Sequence, residues 1–254
     1  MKPISTLLVC LVLSVGLFAQ NNVWYAAAKA GLSIREKPDA KAKVLEKIPY
    51  GEKLSLIYTN TDSIINIITE GISGSWAKTT YKGKTGYVVN SYLFPAPPPK
   101  ATVKTIKDYL KQLSPVAGPA VTKGRPEKMG DFDYNTSLTK QLYKNGAEVH
   151  SFFAYEYNSD TYFLPDFTIE QGFLLLRLLG EYPDAIGAAE TYPQTSTKKK
   201  LRDDVCTITV EKEPYGEPVK VTKKIRYEWQ DGAYYVLEFF MLDGQLVILS
   251  SGGV

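Results

Sequence analysis

The sequence predicts a mainly β chain: a small β-barrel followed by an α+β domain with an antiparallel sheet and one or two helices. Three observations carry this. Short runs rich in Val, Ile, Tyr and Thr alternate with Gly- and Pro-marked turns over residues 23–93 and again near the C-terminus. Only two segments, around residues 103–113 and 168–182, have helical patterning. Between the halves stands Phe94-Pro95-Ala96-Pro97-Pro98-Pro99-Lys100, which neither a sheet nor a helix can continue. Residues 95–100 are therefore read as an extended, stiff linker between a barrel at 23–94 and an α+β domain at 101–254.

The chain opens with Lys2, a mostly apolar run from Ile4 to Phe18, and Ala19 ahead of Gln20-Asn21-Asn22. That order is expected of a cleaved signal peptide over residues 1–19. The run is shorter than the roughly 20 apolar residues of a membrane span, so no stable span is expected after cleavage. Cys10 lies inside the run rather than closing it, which argues against a lipid anchor. The expected location is periplasmic or extracellular. Once residues 1–19 are removed, Cys206 is the one remaining cysteine, so no internal disulfide can form. It sits in an alternating, strand-like run and is expected to be a small buried hydrophobe.

In the first half, VWYAAA and LSIRE read as strands, with a turn at Lys37-Pro38-Asp39-Ala40. VLEKIPYGEKLSLIY, SWAKTTY and TGYVV follow, with a hairpin tip at Lys82-Gly83-Lys84. Gly51, Gly83 and Gly86 are expected at turns that need positive φ. Leu32, Ile34, Val44, Leu45, Leu54, Leu56, Tyr87 and Val88 are expected to fill the interior.

The second half begins with a helical face formed by Val103, Ile106, Tyr109, Leu110 and Leu113. A Gly/Pro-rich loop is expected to about Met129. LTKQLY, VHSFFAYEY and TYFLPDF then read as strands, the last two joined by a turn at Asn158-Ser159-Asp160. Thr168-Ile169-Glu170-Gln171 is a capping box ahead of GFLLLRLLGEY, whose apolar character on all sides predicts a buried helix. Four strands close the chain, with Asp231-Gly232 and Asp243-Gly244 as two-residue hairpin turns.

Residues 25–93 resemble the bacterial SH3 domain family. The resemblance rests on Gly31-Leu32-Ser33-Ile34-Arg35-Glu36-Lys37-Pro38, on Val44-Leu45-Glu46-Lys47-Ile48-Pro49-Tyr50-Gly51, and on Trp76-Ala77-Lys78 followed by Tyr81-Lys82-Gly83-Lys84-Thr85-Gly86-Tyr87-Val88 and Ser91-Tyr92-Leu93. The stretch Thr59–Ser75 is longer than in the shortest members, and folded over the barrel it would block or reshape a groove. The resemblance implies an SH3-like barrel that binds peptidoglycan or an envelope protein. Tyr81, Tyr92, Trp76 and Tyr87 are the aromatic candidates for such contacts. Arg35 beside Pro38 is expected to bond carbonyls of the adjoining turn. Residues 101–254 carry no motif that points to a family.

Chemistry-bearing residues are sparse. His150 is the only histidine, too few for a zinc enzyme, and no histidine follows Cys206. Asp131-Phe132-Asp133-Tyr134-Asn135 begins like a calcium loop, but Thr136 and Leu142 stand where Gly and Glu are required, so it reads as a polar loop. Lys198-Lys199-Lys200 with Arg202 reads as a solvated basic loop, not a nucleic-acid site. No cofactor or metal is expected. Residues 20–100 carry 11 Lys and Arg against 6 Asp and Glu, and residues 101–254 carry 18 against 21. A basic first half suits an anionic envelope polymer. The expected function is an exported, non-enzymatic binding protein. The alternatives are an envelope hydrolase with a carboxylate site drawn from Glu156, Asp160, Asp166, Glu170, Glu181 and Asp184, or a structural assembly protein.

Overall fold

The computed structural model describes residues 23–57, 65–201, 204–214 and 220–254. The expected signal peptide at 1–19, Cys10, Arg202 and residues 59–64 of the long loop lie outside them.

The first unit is built from β1 (Val23–Ala26), β2 (Leu32–Arg35), β3 (Val44–Ile48), β4 (Lys53–Ile57), β5 (Asn66–Thr69), β6 (Ile72–Tyr81), β7 (Lys84–Val89) and β8 (Leu93–Phe94). The strands run in the order β3-β2-β7-β6-β4-β1-β8, with β5 added to β6. Ala26, Leu32, Ile34, Ile48, Leu54, Leu56, Val88 and Leu93 form its core, and Leu45 packs against it half-buried. Two residues expected inside are not: Val44 is exposed, and Tyr87 lies on the outer face of β7. Gly86 differs from its expectation too. It does not adopt positive φ, whereas Gly51 and Gly83 do. A Cβ on Gly86 would collide with the Arg35 carbonyl oxygen, so glycine is needed there for close strand approach. Arg35 donates through its guanidinium to the Ala42 carbonyl at 2.7 Å and so closes the Pro38 turn.

The second unit comprises α1 (Ile106–Leu113), β9 (Val121–Met129), β10 (Phe132–Leu142), β11 (Glu148–Ala154), β12 (Tyr157–Pro165), α2 (Ile169–Leu179), β13 (Thr197–Leu201), β14 (Asp204–Pro214), β15 (Lys220–Gln230), β16 (Tyr234–Leu242) and β17 (Gln245–Gly253). Its nine strands form one antiparallel sheet in the order β13-β14-β15-β16-β17-β12-β11-β10-β9. Two meanders are joined where β17 returns beside β12, from Gln245 opposite Pro165 to Gly253 opposite Tyr157.

Three segments differ from expectation. Residues 121–129 and 131–135 are strand and hairpin tip rather than loop. The β11–β12 turn falls at Tyr155-Glu156, and Asn158-Ser159-Asp160 lies within β12. Lys198-Lys199-Lys200 lies on edge strand β13, where lysines discourage further strand pairing.

Helix α2 is capped by the Thr168–Gln171 box and ends at Gly180 in the left-handed region. One side of it meets the sheet through Leu246, and the other meets the barrel. That sandwiching accounts for a helix apolar nearly all round. Ala27, Ile72 and Phe94 of the first unit belong to the same core as Phe167, Phe173, Leu176 and Ile248 of the second. The Pro-rich segment is extended and tied down. The Tyr109 hydroxyl donates to the Pro97 carbonyl at 2.9 Å, Gln112 to Pro98 at 3.1 Å, and Tyr50 to Pro99 at 2.8 Å. Among the described residues, no helix is long and apolar enough to cross a membrane.

Candidate functional site

Pairing of β6 with β7 sets Trp76 opposite Val89 and Lys78 opposite Tyr87. Because strand side chains alternate, Trp76, Lys78 and Tyr87 share the outer face of the barrel, while Ala77 and Thr79 point inward. Trp24 on β1 lies on the inward side with its partner Leu54 and packs against the barrel core, yet it too reaches the cleft. Together these rings line one wall of a cleft of about 1170 Å³. Ile65, Ile67 and Ile68 extend the apolar wall along β5. The facing wall is the start of α2, with Thr168 and Gln171, and the segment before β13, with Tyr192 and Gln194. The cleft is thus amphipathic: indole and aliphatic surface on one side, hydroxyl and amide groups on the other. The Trp24 indole N–H is buried and finds no acceptor among the described residues.

Fixed contacts hold the two walls in place. The Gln171 amide donates to the Leu93 carbonyl at 2.8 Å, in a buried position. The Tyr192 N–H donates to the Glu70 carbonyl at 3.0 Å, and the Gln194 amide donates to the Gly71 carbonyl. Glu70 accepts from the Tyr92 hydroxyl at 2.8 Å and pairs with Arg177 at 2.7 Å. The described part of the long Thr59–Ser75 stretch is therefore a hairpin whose Glu70-Gly71 tip docks on the second unit.

The four aromatics expected at the site divide. Trp76 and Tyr87 line the cleft. Tyr81 points inward and packs against the barrel core, with the Lys82 ammonium 5.2 Å from its ring centre. Tyr92 is an interdomain strut: burial first, then Glu70, pushes its hydroxyl up to about 12. Glu70 in turn is lowered, first by the Tyr92 hydroxyl and also by Arg177. Trp24 was not among the four. Its alternation with Ala26 points it into the barrel, and its place at the cleft depends on the second unit.

The acidic residues singled out in sequence are distributed. Glu156 is on a hairpin tip, Asp166 beside Phe167, and Glu170 bonded to the Tyr192 hydroxyl at 3.3 Å. Asp184 lies beyond α2 in the turn before Ala185. Only Asp160 and Glu181 share surroundings. Asp160 pairs with Lys107 at 2.9 Å and accepts from Ser151, and Glu181 accepts from the Ile106 N–H at 2.7 Å. Burial raises Glu181 to about 7. His150 bonds Glu148 at 2.8 Å on the sheet face away from the helices. Cys206 is buried on the helix face, five strands away, with its thiol pushed up to about 11 by burial. Among the described residues, no group of three or more His, Cys, Asp or Glu could hold a metal ion.

No curated protein and no solved structure matches the chain. Residues 30–94 match the family of the bacterial SH3 domain. The unit that contributes Trp76 and Tyr87 to the cleft is thus a bacterial SH3 domain, fused to a nine-stranded α+β domain.

Proposed function

We propose that this chain is an exported, non-enzymatic binding protein whose SH3 domain recognises a cell-envelope ligand, peptidoglycan or an envelope protein, in the cleft that it forms with the second domain. The observation that carries this is the gathering of Trp24, Trp76 and Tyr87 on one wall of a large cleft whose other wall is hydrogen-bonding. Aromatic faces supply contact area at little entropic cost. The basic charge of residues 20–100 favours approach to an anionic polymer. Export rests on the order of residues 1–19.

The test uses the whole chain, because Ile72 and Phe94 would be exposed in an isolated barrel. Co-sedimentation with isolated cell walls at low salt is expected, with at least tenfold weaker retention for Trp76→Ala and Tyr87→Ala. Retention unchanged in both variants would remove the cleft from the proposal. No retention of the wild-type chain would remove wall binding and leave a protein partner.

A further inference from the structure

The sheet face opposite the helices carries a second, smaller pocket of about 600 Å³, far from the SH3 cleft. Its geometry follows from register. Tyr157 on β12, Gly253 on β17 and Tyr234 on β16 stand side by side in one cross-strand row. Glycine between two tyrosines lets the chain pack closely: a Cβ on Gly253 would meet the Glu156 carbonyl oxygen at 2.7 Å and the edge of the Tyr157 ring at 3.4 Å, so the Tyr157 ring leans over the glycine. The next rows contribute Ser251 with Val236, then Leu249 with Arg226. The β9–β10 hairpin overhangs this row. Residues 132–136 of β10 lie beyond the stretch paired with β11, so that Met129 and Tyr134 reach the pocket. The overhang is braced by Phe132 against Tyr155, with ring centres 4.6 Å apart.

Two further observations mark this place as a site. Met129, Phe132, Tyr155, Tyr157 and Tyr234 are all large and exposed, and all gather at this one rim. Exposed apolar side chains scattered singly are ordinary, but a cluster around a concavity marks binding. The β11–β12 tip is Tyr155-Glu156, with Glu156 at φ 56, a left-handed position where Gly or Asn is the low-cost choice. Backbone strain is retained where side chains are in use, and here it presents Tyr155 and Tyr157.

The charges define the ligand. Arg226 is held by Glu228 at 2.8 Å and Glu238 at 2.9 Å, Lys224 also lies by Glu238, and the Tyr234 hydroxyl bonds Glu228. Arg226 is thus neutralised by two carboxylates, and Glu156 is an ionised side chain of the lining with no cationic partner among the described residues, so an anion finds no free positive charge here. An apolar ligand would strip water from the tyrosine hydroxyls, Ser251 and the Arg226 network without replacing their hydrogen bonds. A neutral sugar meets both demands. Its C–H faces lie against the electron-rich faces of tyrosine, and its hydroxyls exchange hydrogen bonds with prearranged ion pairs. We infer that this pocket of the second domain binds a short neutral oligosaccharide, stacked on the exposed rings of Tyr157 and Tyr234. The volume lies within the roughly 300–1,000 Å³ range of small-ligand sites.

The experiment is calorimetric titration of the full chain with cellohexaose, maltohexaose and the hexamer of N-acetylglucosamine. At least one is expected to bind saturably, with Kd changing less than about twofold between 50 and 500 mM NaCl. Tyr157→Ala and Tyr234→Ala are each expected to weaken binding at least tenfold. Tyr157→Leu, which keeps apolar bulk but loses the ring, should do the same in a chain that folds. Trp76→Ala, on the SH3 cleft, should leave this binding unchanged, so the two sites fail separately. Failure of all three sugars to bind, equal binding by the Tyr157 and Tyr234 variants, or a steep salt dependence would each overturn the assignment.

Discussion

Glu181 follows directly on the C-cap of α2, and its carboxylate accepts the Ile106 N–H at the first turn of α1. The groups that act on it are the Ile106 N–H, the Tyr182 hydroxyl, Asp160 and Lys107, and burial dominates, raising it from 4.5 to about 7. The sign follows from proton binding. Between those two values the folded chain holds a proton that the unfolded chain has released. The group's contribution is therefore full below pH 4.5 and is lost as pH rises through about 7. At full value the difference is ~3 kcal/mol, and because the side chain is only half-buried, solvent screening reduces it to about 1–2 kcal/mol. Glu181→Gln keeps an acceptor for Ile106 and never ionises. It should match the wild type near pH 4.5 and exceed its stability by about 1–2 kcal/mol at pH 8. Urea unfolding of both chains at pH 4.5, 6, 7 and 8 measures this, since every other titrating group cancels in the difference. A difference that stays flat with pH, or that favours the wild type at pH 8, would show that the carboxylate is not held against ionisation.

Three further outcomes follow from the packing. Phe94 is fully buried in the core common to both domains, so the chain should unfold in one transition. Phe94→Ala should lower its stability by about 3–5 kcal/mol, and two separated wild-type transitions in calorimetry would contradict a common core. Gly71 and Gly83 have similar positive φ, 79 and 74, but a Cβ on Gly71 would run into the Tyr192 carbonyl while Gly83 is open. Gly71→Ala should therefore cost about 1–3 kcal/mol more than Gly83→Ala in urea midpoints. Glu156→Gly should raise stability by about 1 kcal/mol by relieving the left-handed backbone, measured by thermal unfolding.

The hairpins show where sequence was legible and where it was not. Asp231-Gly232 and Asp243-Gly244 announce their turns because glycine takes the left-handed position, and Gly232 and Gly244 do so at φ 70 and 78; the second is the expected two-residue turn, whereas Gln230 pairs with Tyr234 and makes the first a three-residue loop that includes Ala233. The β11–β12 turn carries no such signal. Its tip is Tyr155-Glu156, while the turn-like Asn158-Ser159-Asp160 continues as strand because Asp160 finds Lys107 on α1 and Ser151 across the ladder. Local propensity lost to a tertiary partner that no window of sequence contains. Strand β9 was hidden for a different reason. Val121–Met129 has no apolar alternation, and Pro126 breaks the pattern, yet an edge strand exposed along most of its length needs neither.

The same division runs through the two sites. Trp76 and Tyr87 were legible because the motif around Gly83 and Gly86 fixes a hairpin, and alternation then assigns its faces. What turns that face into a cleft is Gln171, Tyr192 and Gln194, more than 80 residues further on, held by bonds to Leu93, Gly71 and Glu70. The extra length of the SH3 domain between Thr59 and Ser75 was legible as a departure, but its consequence was not. The described part carries Ile72 into the core of the second domain and Glu70 to Arg177. An insertion that shortens no strand of the barrel and ends on a buried contact is an adaptor. It fixes the cleft walls relative to each other, so a ligand there meets a surface that is already ordered.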